Sequence, residues 1–238
     1  MWLPVSYTEN IPLPFKTGPA IKYEDQPQFH PRKYLLALSE DIIGEGSYIF
    51  EKTSAITVNN GKIKEVVTDQ GSIMAYKVIV ATLHQYITPT TLQTFDSARS
   101  YVLGLYTKGN FPDGMFIDYN PLHTYRAIPT DNGKLIIVAG EDSSVDVADK
   151  SIYYGRLETY ARQHLNVKFI GYRWSNKDST TGDGLPLIGM TSQEGIYIAA
   201  GFGFWGMTNG TKAAMLITDL INGQENEFVD LFNLRRFT

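Results

Sequence analysis

"IYIAAGFGFWGMTNGTKAAMLITDLING", residues 196–223, is the stretch on which the reading of the fold turns. An apolar run that reads as a strand leads into Gly201, Gly203 and Gly206 in a G-x-G-x-x-G frame, and a helix-like run follows. That is the outline of a dinucleotide-binding fingerprint, in which glycines let a pyrophosphate approach a helix N-terminus. The fingerprint also needs a second parallel strand, ending in Asp or Glu about 20 residues further on. Counting forward lands in the polar "GQENEFVD" (223–230), where Glu225 and Glu227 follow no buried strand. Phe202, Phe204 and Trp205 also place large rings where small side chains normally admit the phosphates. Two other readings stand beside the fingerprint. The glycines make only a tight strand–helix turn, or N–H groups around Met207 and Thr208 stabilise a flat, partly negative ring walled by the aromatics.

Upstream of this loop, "SNKDSTTGDGLPLIGM" (175–190) reads as a loop, "VKFIGYRW" (167–174) as a strand and "DKSIYYGRLETYARQHL" (149–165) as a helix. "ARSYVLGLYT", "GMFIDYN", "TYRAIPT" and "KLIIVAGED" are rich in aromatic and β-branched residues and separated by turn residues, which predicts an antiparallel sheet. "PRKYLLALSEDIIGEG" (31–46) opens on proline and closes on glycines around helically spaced apolar residues, which predicts an amphipathic helix. "SYIFEKT" (47–53) reads as a strand, and the next residues as a hairpin around Asn60–Gly61 with another turn at Gln70–Gly71. "VIVAT" (78–82) is apolar enough for a strand buried on both faces. Residues 1–30 read as irregular chain with one short strand. The fold class is therefore α+β, an α/β remnant with an inserted antiparallel-sheet domain. Expected divisions are 1–85, 86–172 and 173–238.

Composition narrows the function. The chain has 238 residues, 43% hydrophobic and 19% charged, which suits a packed globular protein. A net charge of −4 gives no electrostatic case for a nucleic-acid or anionic-membrane partner. Cysteine is absent, so thiolate catalysis and Cys-ligated metal are excluded. His30, His84, His123 and His164 show no metal-binding spacing, so no metal site is expected. The N-terminus has no signal-peptide pattern, and no apolar run approaches the ~18 residues of a membrane span. The default location is the cytoplasm.

"DGLPLIG" (183–189) followed by "GIYIAAGFGFWGMTNGTKAAMLITDLI" resembles the flavin-side end of the D-amino acid oxidase, glycine oxidase and sarcosine oxidase superfamily of FAD-dependent oxidoreductases. "YRWSNKDSTTGDGLPLIG" and "GFGFWGMTNGTKAA" are most similar to its Rieske-fused branch, related to γ-glutamylputrescine oxidases. "QPQFHPRKYLLALSEDIIGEGSYIFEKTSAITV" and "VIVATLH" extend the likeness, with Leu83 in place of the family's usual glycine.

The resemblance implies FAD as cofactor. It also implies oxidation of the C–N bond of an amine or amino acid by hydride transfer to flavin N5, and a C-terminal Rieske module in the full-length protein. It assigns main-chain cofactor contacts to Ala55 and Ile56, and further contacts to Ala81, Thr82, Gly189, Gly201, Phe202, Gly203, Gly206, Met207 and Thr208. Trp205 and Trp174 are the candidates nearest the chemistry, and Tyr125, Arg126 and Arg173 the candidates for substrate binding, Arg126 through a bidentate grip on a carboxylate. Lys177 and Asp178 read as an exposed ion pair, and His84 as a polar residue at a strand end.

The family's N-terminal G-x-G-x-x-G block has no counterpart in these residues. By that standard the chain begins in mid-protein, is inactive alone, and binds FAD weakly or not at all. A truncated sheet is expected to expose the edges of "VIVAT" or "GIYIAA" and to self-associate. A catalytically silent remnant serving as a binding module is the alternative from another class, and an NAD(P)-dependent dehydrogenase a third.

Overall fold

The computed structural model describes residues 4–83, 95–119, 122–131, 133–144 and 147–237. The chain divides into two units: residues 1–29 with 98–177, and residues 30–97 with 178–238. The first 29 residues thus group with the sheet, and the divisions at 97/98 and 177/178 fall inside strands.

The first unit begins with a ribbon, β1 (Val5–Thr8) paired antiparallel with β2 (Ala20–Tyr23), so the opening segment holds two strands instead of one. Its main sheet runs in the order β11-β7-β10-β9-β8. The strands are β7 (Phe95–Thr107), β8 (Met115–Tyr119), β9 (Leu122–Thr130), β10 (Gly133–Ser144) and β11 (Val167–Thr181). Alternation sends Tyr101, Leu103 and Leu105 of β7, Tyr125 and Ala127 of β9, and Ile136 and Val138 of β10 to one face. Leu157 and Ala161 of α2 (Ser151–His164) cover that face. Each fully buried leucine, isoleucine or valine among them contributes about 1.5–3 kcal/mol. The Tyr101 ring stacks on Tyr153 of α2 at 5.0 Å.

The second unit has a three-stranded meander, β3 (Ala55–Asn59), β4 (Lys64–Thr68) and β5 (Gly71–Ala75), with turns at the predicted Asn60–Gly61 and Gln70–Gly71. A second sheet runs β12-β13-β6, built from β12 (Leu187–Met190), β13 (Ile196–Ala200) and β6 (Val78–Val80). β13 pairs antiparallel with β12 and parallel with β6. Tyr197 and Ala199 pack on Ala213, Leu216 and Ile217 of α3 (Gly206–Ile221), and Ile198 and Ala200 pack on Leu187, Leu234 and Phe95. β13 is therefore buried on both faces, as its unbroken apolar sequence requires. After α3 come α4 (Val229–Phe232) and a 3-10 turn (Leu234–Phe237), so no strand carries Glu225 or Glu227.

Three further expectations are corrected. Residues 47–53 form no strand beyond an isolated bridge from Ser47 to Gly44. Residues 175–181 continue β11 as a strand, and 187–190 form β12, so the predicted loop shrinks to its centre. "GIYIAA" is a central strand and not an exposed edge, whereas β6 is an edge strand with Ile79 half exposed. α1 (Pro31–Ile42) forms as predicted, with the His30 ring accepting from the Lys33 N–H, but none of its residues is buried.

Candidate functional site

In the second unit, the glycine loop joins β13 to α3 and is held by the end of β11. Gly201 has φ +71°, and a Cβ there would lie 2.5 Å from the Phe95 ring and 2.9 Å from Thr181 Cγ2. Any side chain at 201 would displace core atoms, so this glycine is demanded by packing as well as by φ. Gly203 has φ +56° and donates its N–H to the Ser179 carbonyl at 3.0 Å. Phe204 follows with φ +67°, a left-handed conformation that costs a non-glycine residue about 1–3 kcal/mol. Its N–H donates to Asp178 Oδ2 at 2.8 Å. Asp178 is therefore no partner of Lys177 in a surface pair; it braces the loop.

The three loop aromatics separate. Phe202 packs against the α3 core, while Phe204 and Trp205 are 46% and 65% exposed. The Phe202 carbonyl accepts from Trp205 N at 3.1 Å and from Asn209 Nδ2 at 2.9 Å. Trp205 stands at the N-cap of α3 and offers no capping side chain. The amides of Gly206, Met207 and Thr208 have no acceptor within the helix, and the Cα of Gly206 faces open space. An exposed indole, open first-turn amides and a bare glycine suit the electron-rich edge of a flat ring.

Other cofactor candidates occupy the same unit. Ala81 and Thr82 follow β6 and are exposed, and Leu83 takes φ +62°, the left-handed conformation that glycine usually fills. The Leu83 carbonyl accepts from Ser179 Oγ at 3.3 Å. Ile56 sits where the β3–β4 register shifts between Ala55 and Thr57, so it is skipped in the ladder and more than half exposed. Gly189 lies within β12 opposite Ile198 and is buried. Asp183 of "DGLPLIG" accepts a two-pronged salt bridge from Arg236, Nε to Oδ2 at 2.6 Å and Nη2 to Oδ1 at 3.1 Å. Arg236, then the Leu185 N–H and the Thr181 hydroxyl, hold the Asp183 carboxyl well below its usual pKa. His84 lies outside the described residues.

The substrate candidates lie in the first unit, and two of them are occupied structurally. Tyr125 is 1% exposed on the helix-covered face, its hydroxyl bonded to Tyr160 and, at 3.2 Å, to Asp118. Burial first, then Tyr160 and Asp118, push its pKa above the ordinary tyrosine value. It is a core residue rather than a substrate contact. Arg173 pairs with Glu158 of α2 at 2.7 Å, and Glu158 also pairs with Arg162 at 2.8 Å. Arg173 is thereby turned toward α2.

Arg126, next to Tyr125, points to the opposite face by strand alternation. Its Nε donates to Gln28 Oε1 at 2.9 Å and its Nη2 to the Phe29 carbonyl. The side-on bidentate mode of a guanidinium uses Nε, so a carboxylate held that way would have to displace Gln28. Trp174, between Arg173 and Ser175 on β11, is 41% exposed.

One cluster escaped the sequence reading. His123 is 1% exposed, stacks on Tyr160 at 3.7 Å and approaches Glu141 at 3.3 Å, with Nδ1 unbonded. Its apolar surroundings follow from the same alternation that buries Tyr125, a signal present in "HTYRAIP". Among the described residues, no group of three His, Asp or Glu is arranged for a metal, and no helix is long and apolar enough to cross a membrane.

The sequence profile of the family described as "FAD dependent oxidoreductase" matches residues 5–220. YhfW of Bacillus subtilis (strain 168), whose name describes a Rieske 2Fe-2S iron–sulfur protein, is 32% identical over 236 residues, covering 96% of this chain and 46% of YhfW. A D-amino acid dehydrogenase of Rhizobium rhizogenes is 28% identical over 214 residues, covering 82% of this chain and 49% of that protein. The chain thus spans about half the length of these curated relatives. Among solved structures, an L-amino acid deaminase from Proteus myxofaciens superposes with a TM-score of 0.74 at 14% identity, covering 99% of this chain and 68% of that one. Glycine oxidase from Geobacillus kaustophilus superposes with a TM-score of 0.64 at 17% identity, covering 79% of this chain and 53% of that one. These two likenesses show the fold.

Proposed function

The chain belongs to the FAD-dependent oxidoreductase family, and from that premise we propose that it is the ring-side and substrate-binding portion of an enzyme that oxidises the C–N bond of an amine or amino acid. The observation that carries this reading is the first turn of α3. Its amides are uncapped, its glycine is bare, and two exposed aromatics stand beside it. Bound there, a flavin would supply the hydride acceptor. The chain's own part is binding and orientation: Met207 and Thr208 amides toward negative charge, Trp205 as a ring wall, and the backbone at Ala55, Ile56, Ala81 and Thr82 as further contacts.

On the sheet, Trp174 is an exposed aromatic offered to substrate. Arg126 becomes available for a side-on carboxylate when Gln28 releases it. No side-chain base is assigned, because a neutral amine already carries the lone pair that hydride loss requires. A C-terminal Rieske module in the longer protein, a cytoplasmic location and self-association through exposed apolar surface belong to the same proposal.

Alone, the 238 residues lack a phosphate-cradling glycine turn, so they bind FAD through ring contacts only and do not turn over substrate. Titration of FAD into the purified chain, followed by flavin and tryptophan fluorescence, tests this. Saturable binding weaker than about 1 μM is expected, which corresponds to less than about 8 kcal/mol. No saturable change up to the solubility limit would sink the ring-wall reading. Stoichiometric flavin retained through purification would overturn the claim that the chain is incomplete as a holder.

A further inference from the structure

Six non-glycine residues among those described have positive φ, and only Leu83 and Phe204 of these carry apolar side chains. Asp, with its short polar side chain, tolerates that region more readily; a leucine and a phenylalanine need an external hold. Both are held by the same two residues. Asp178 Oδ2 accepts the Phe204 N–H at 2.8 Å, while Oδ1 accepts the N–H of Ser179 at 2.8 Å, which fixes the carboxylate plane. Ser179 is 2% exposed; its Oγ donates to the Leu83 carbonyl at 3.3 Å and its carbonyl accepts from Gly203 at 3.0 Å. The next residues extend the hold: Thr180 forms an isolated bridge with Phe202, and Thr181 fills the space beside Gly201.

We propose that the Asp178–Ser179 dipeptide is the positioning element of this site. It clamps the turn after β6 and the loop between β13 and α3 to one strand end, in the conformation that presents Trp205 and the first α3 amides. The proposal rests on the reading of that loop as a ring wall and adds residues that the reading did not contain. The clamp works by charge and backbone geometry together. A charged acceptor bonds an amide more strongly than a neutral one, and only the left-handed Phe204 points its N–H at Asp178. Releasing the carboxylate lets Phe204 relax toward ordinary φ, which swings Trp205 and breaks the register of the amides behind it. Ser179 performs the same task for Leu83 with a weaker, neutral bond.

The test compares Asp178→Ala, Asp178→Asn, Ser179→Ala and Phe204→Gly in the whole chain, with two readouts. In hydrogen exchange, Asp178→Ala should accelerate the amides of residues 203–206 by roughly tenfold or more, the factor set by losing one charge-assisted bond, while the middle of α3 is unchanged. Asp178→Asn, which keeps an acceptor oxygen, should restore most of the protection. In the Phe204→Gly background, where left-handed φ is free of strain, Asp178→Ala should have a smaller effect.

In the FAD titration, Asp178→Ala should weaken binding by roughly tenfold and Asp178→Asn by less. The thermal midpoints of the two variants should stay together, because a purely structural role would move stability and affinity in step. Exchange that is unchanged in Asp178→Ala overturns the clamp. Equal FAD affinity in the wild type and in Asp178→Ala overturns its role in the site. If the wild type itself shows no FAD binding, the ring-wall reading fails, and with it this role of the dipeptide; the exchange result then decides the clamp alone.

Discussion

α1 and α3 are both amphipathic helices with leucines and isoleucines at core spacing, yet they meet opposite fates. α3 buries Ala213, Leu216 and Ile217 against β12 and β13. α1 buries nothing: Leu35, Leu36, Leu38 and Ile42 are 41–53% exposed, and Ile43, Tyr48 and Phe50 beyond it are more exposed still. The periodicity of apolar residues states that a helix has an inner side, and it does not say whether these 238 residues contain what that side packs on. α1 is the helix whose inner side meets no packing partner among the described residues.

The sharpest way to break this contrast is to truncate both helices. Leu216→Ala is expected to destabilise the chain by about 2–5 kcal/mol, read as a lowered denaturant midpoint, because Leu216 is fully buried. Leu38→Ala in α1 should stay within about 0.5 kcal/mol; a loss of the size seen for Leu216 would show that α1 is packed in solution. The entry to α3 comes next. Gly201→Ala combines a left-handed φ with clashes against Phe95 and Thr181, and is expected to cost about 2–4 kcal/mol by chemical denaturation.

Arg236→Ala removes the partner of Asp183 that ties the chain end to the β12 entrance, for a cost of roughly 1 kcal/mol, since the pair is partly solvated. Its pH dependence has a definite sign. The folded-state pKa of Asp183 is depressed, so its stabilisation is complete above the unfolded value of about 3.9 and disappears as pH falls below it. The wild type and Arg236→Ala should therefore converge in stability in acid and stay apart at neutral pH.

Smallest in stability but largest in solution behaviour is Leu35→Lys with Ile42→Lys. The pair should leave the unfolding midpoint nearly unchanged while reducing self-association in light scattering; a wild type that scatters as a clean monomer removes the premise.

Much of the architecture was legible in the sequence because local chemistry dictates it. Asn60–Gly61 forces a hairpin turn, Pro31 starts a helix, and the alternating β7, β9 and β10 sequences choose one buried face. What was illegible depended on neighbours. "SNKDSTT" is polar and reads as loop, but it ends the edge strand β11, where Ser179 and Thr181 are buried with their hydroxyls bonded to Leu83 and Leu185 carbonyls. "SYIFEKT" has strand composition but, among the described residues, no strand to pair with. At the site, the glycine turn was visible as a spacing, and the role of Phe202 was not, since only the packed structure separates a ring turned inward from the two turned outward. Asp178 was misread for the same reason: beside Lys177 it looks like half of an ion pair, and nothing in the string reveals that its acceptor faces an amide 26 residues away.

The parallel pairing of β6 with β13 sets an order of events in synthesis. β6 leaves the ribosome early and its partner emerges only after the whole five-stranded sheet has been made. Until then Val78, Ile79 and Val80 have no strand of their own sheet to pair with, whereas the hairpins around Asn60–Gly61 and Gln70–Gly71 close at once from local contacts. Residues 81–195 must therefore be made before β6 can pair with β13, and vulnerability to misassembly is concentrated in that interval.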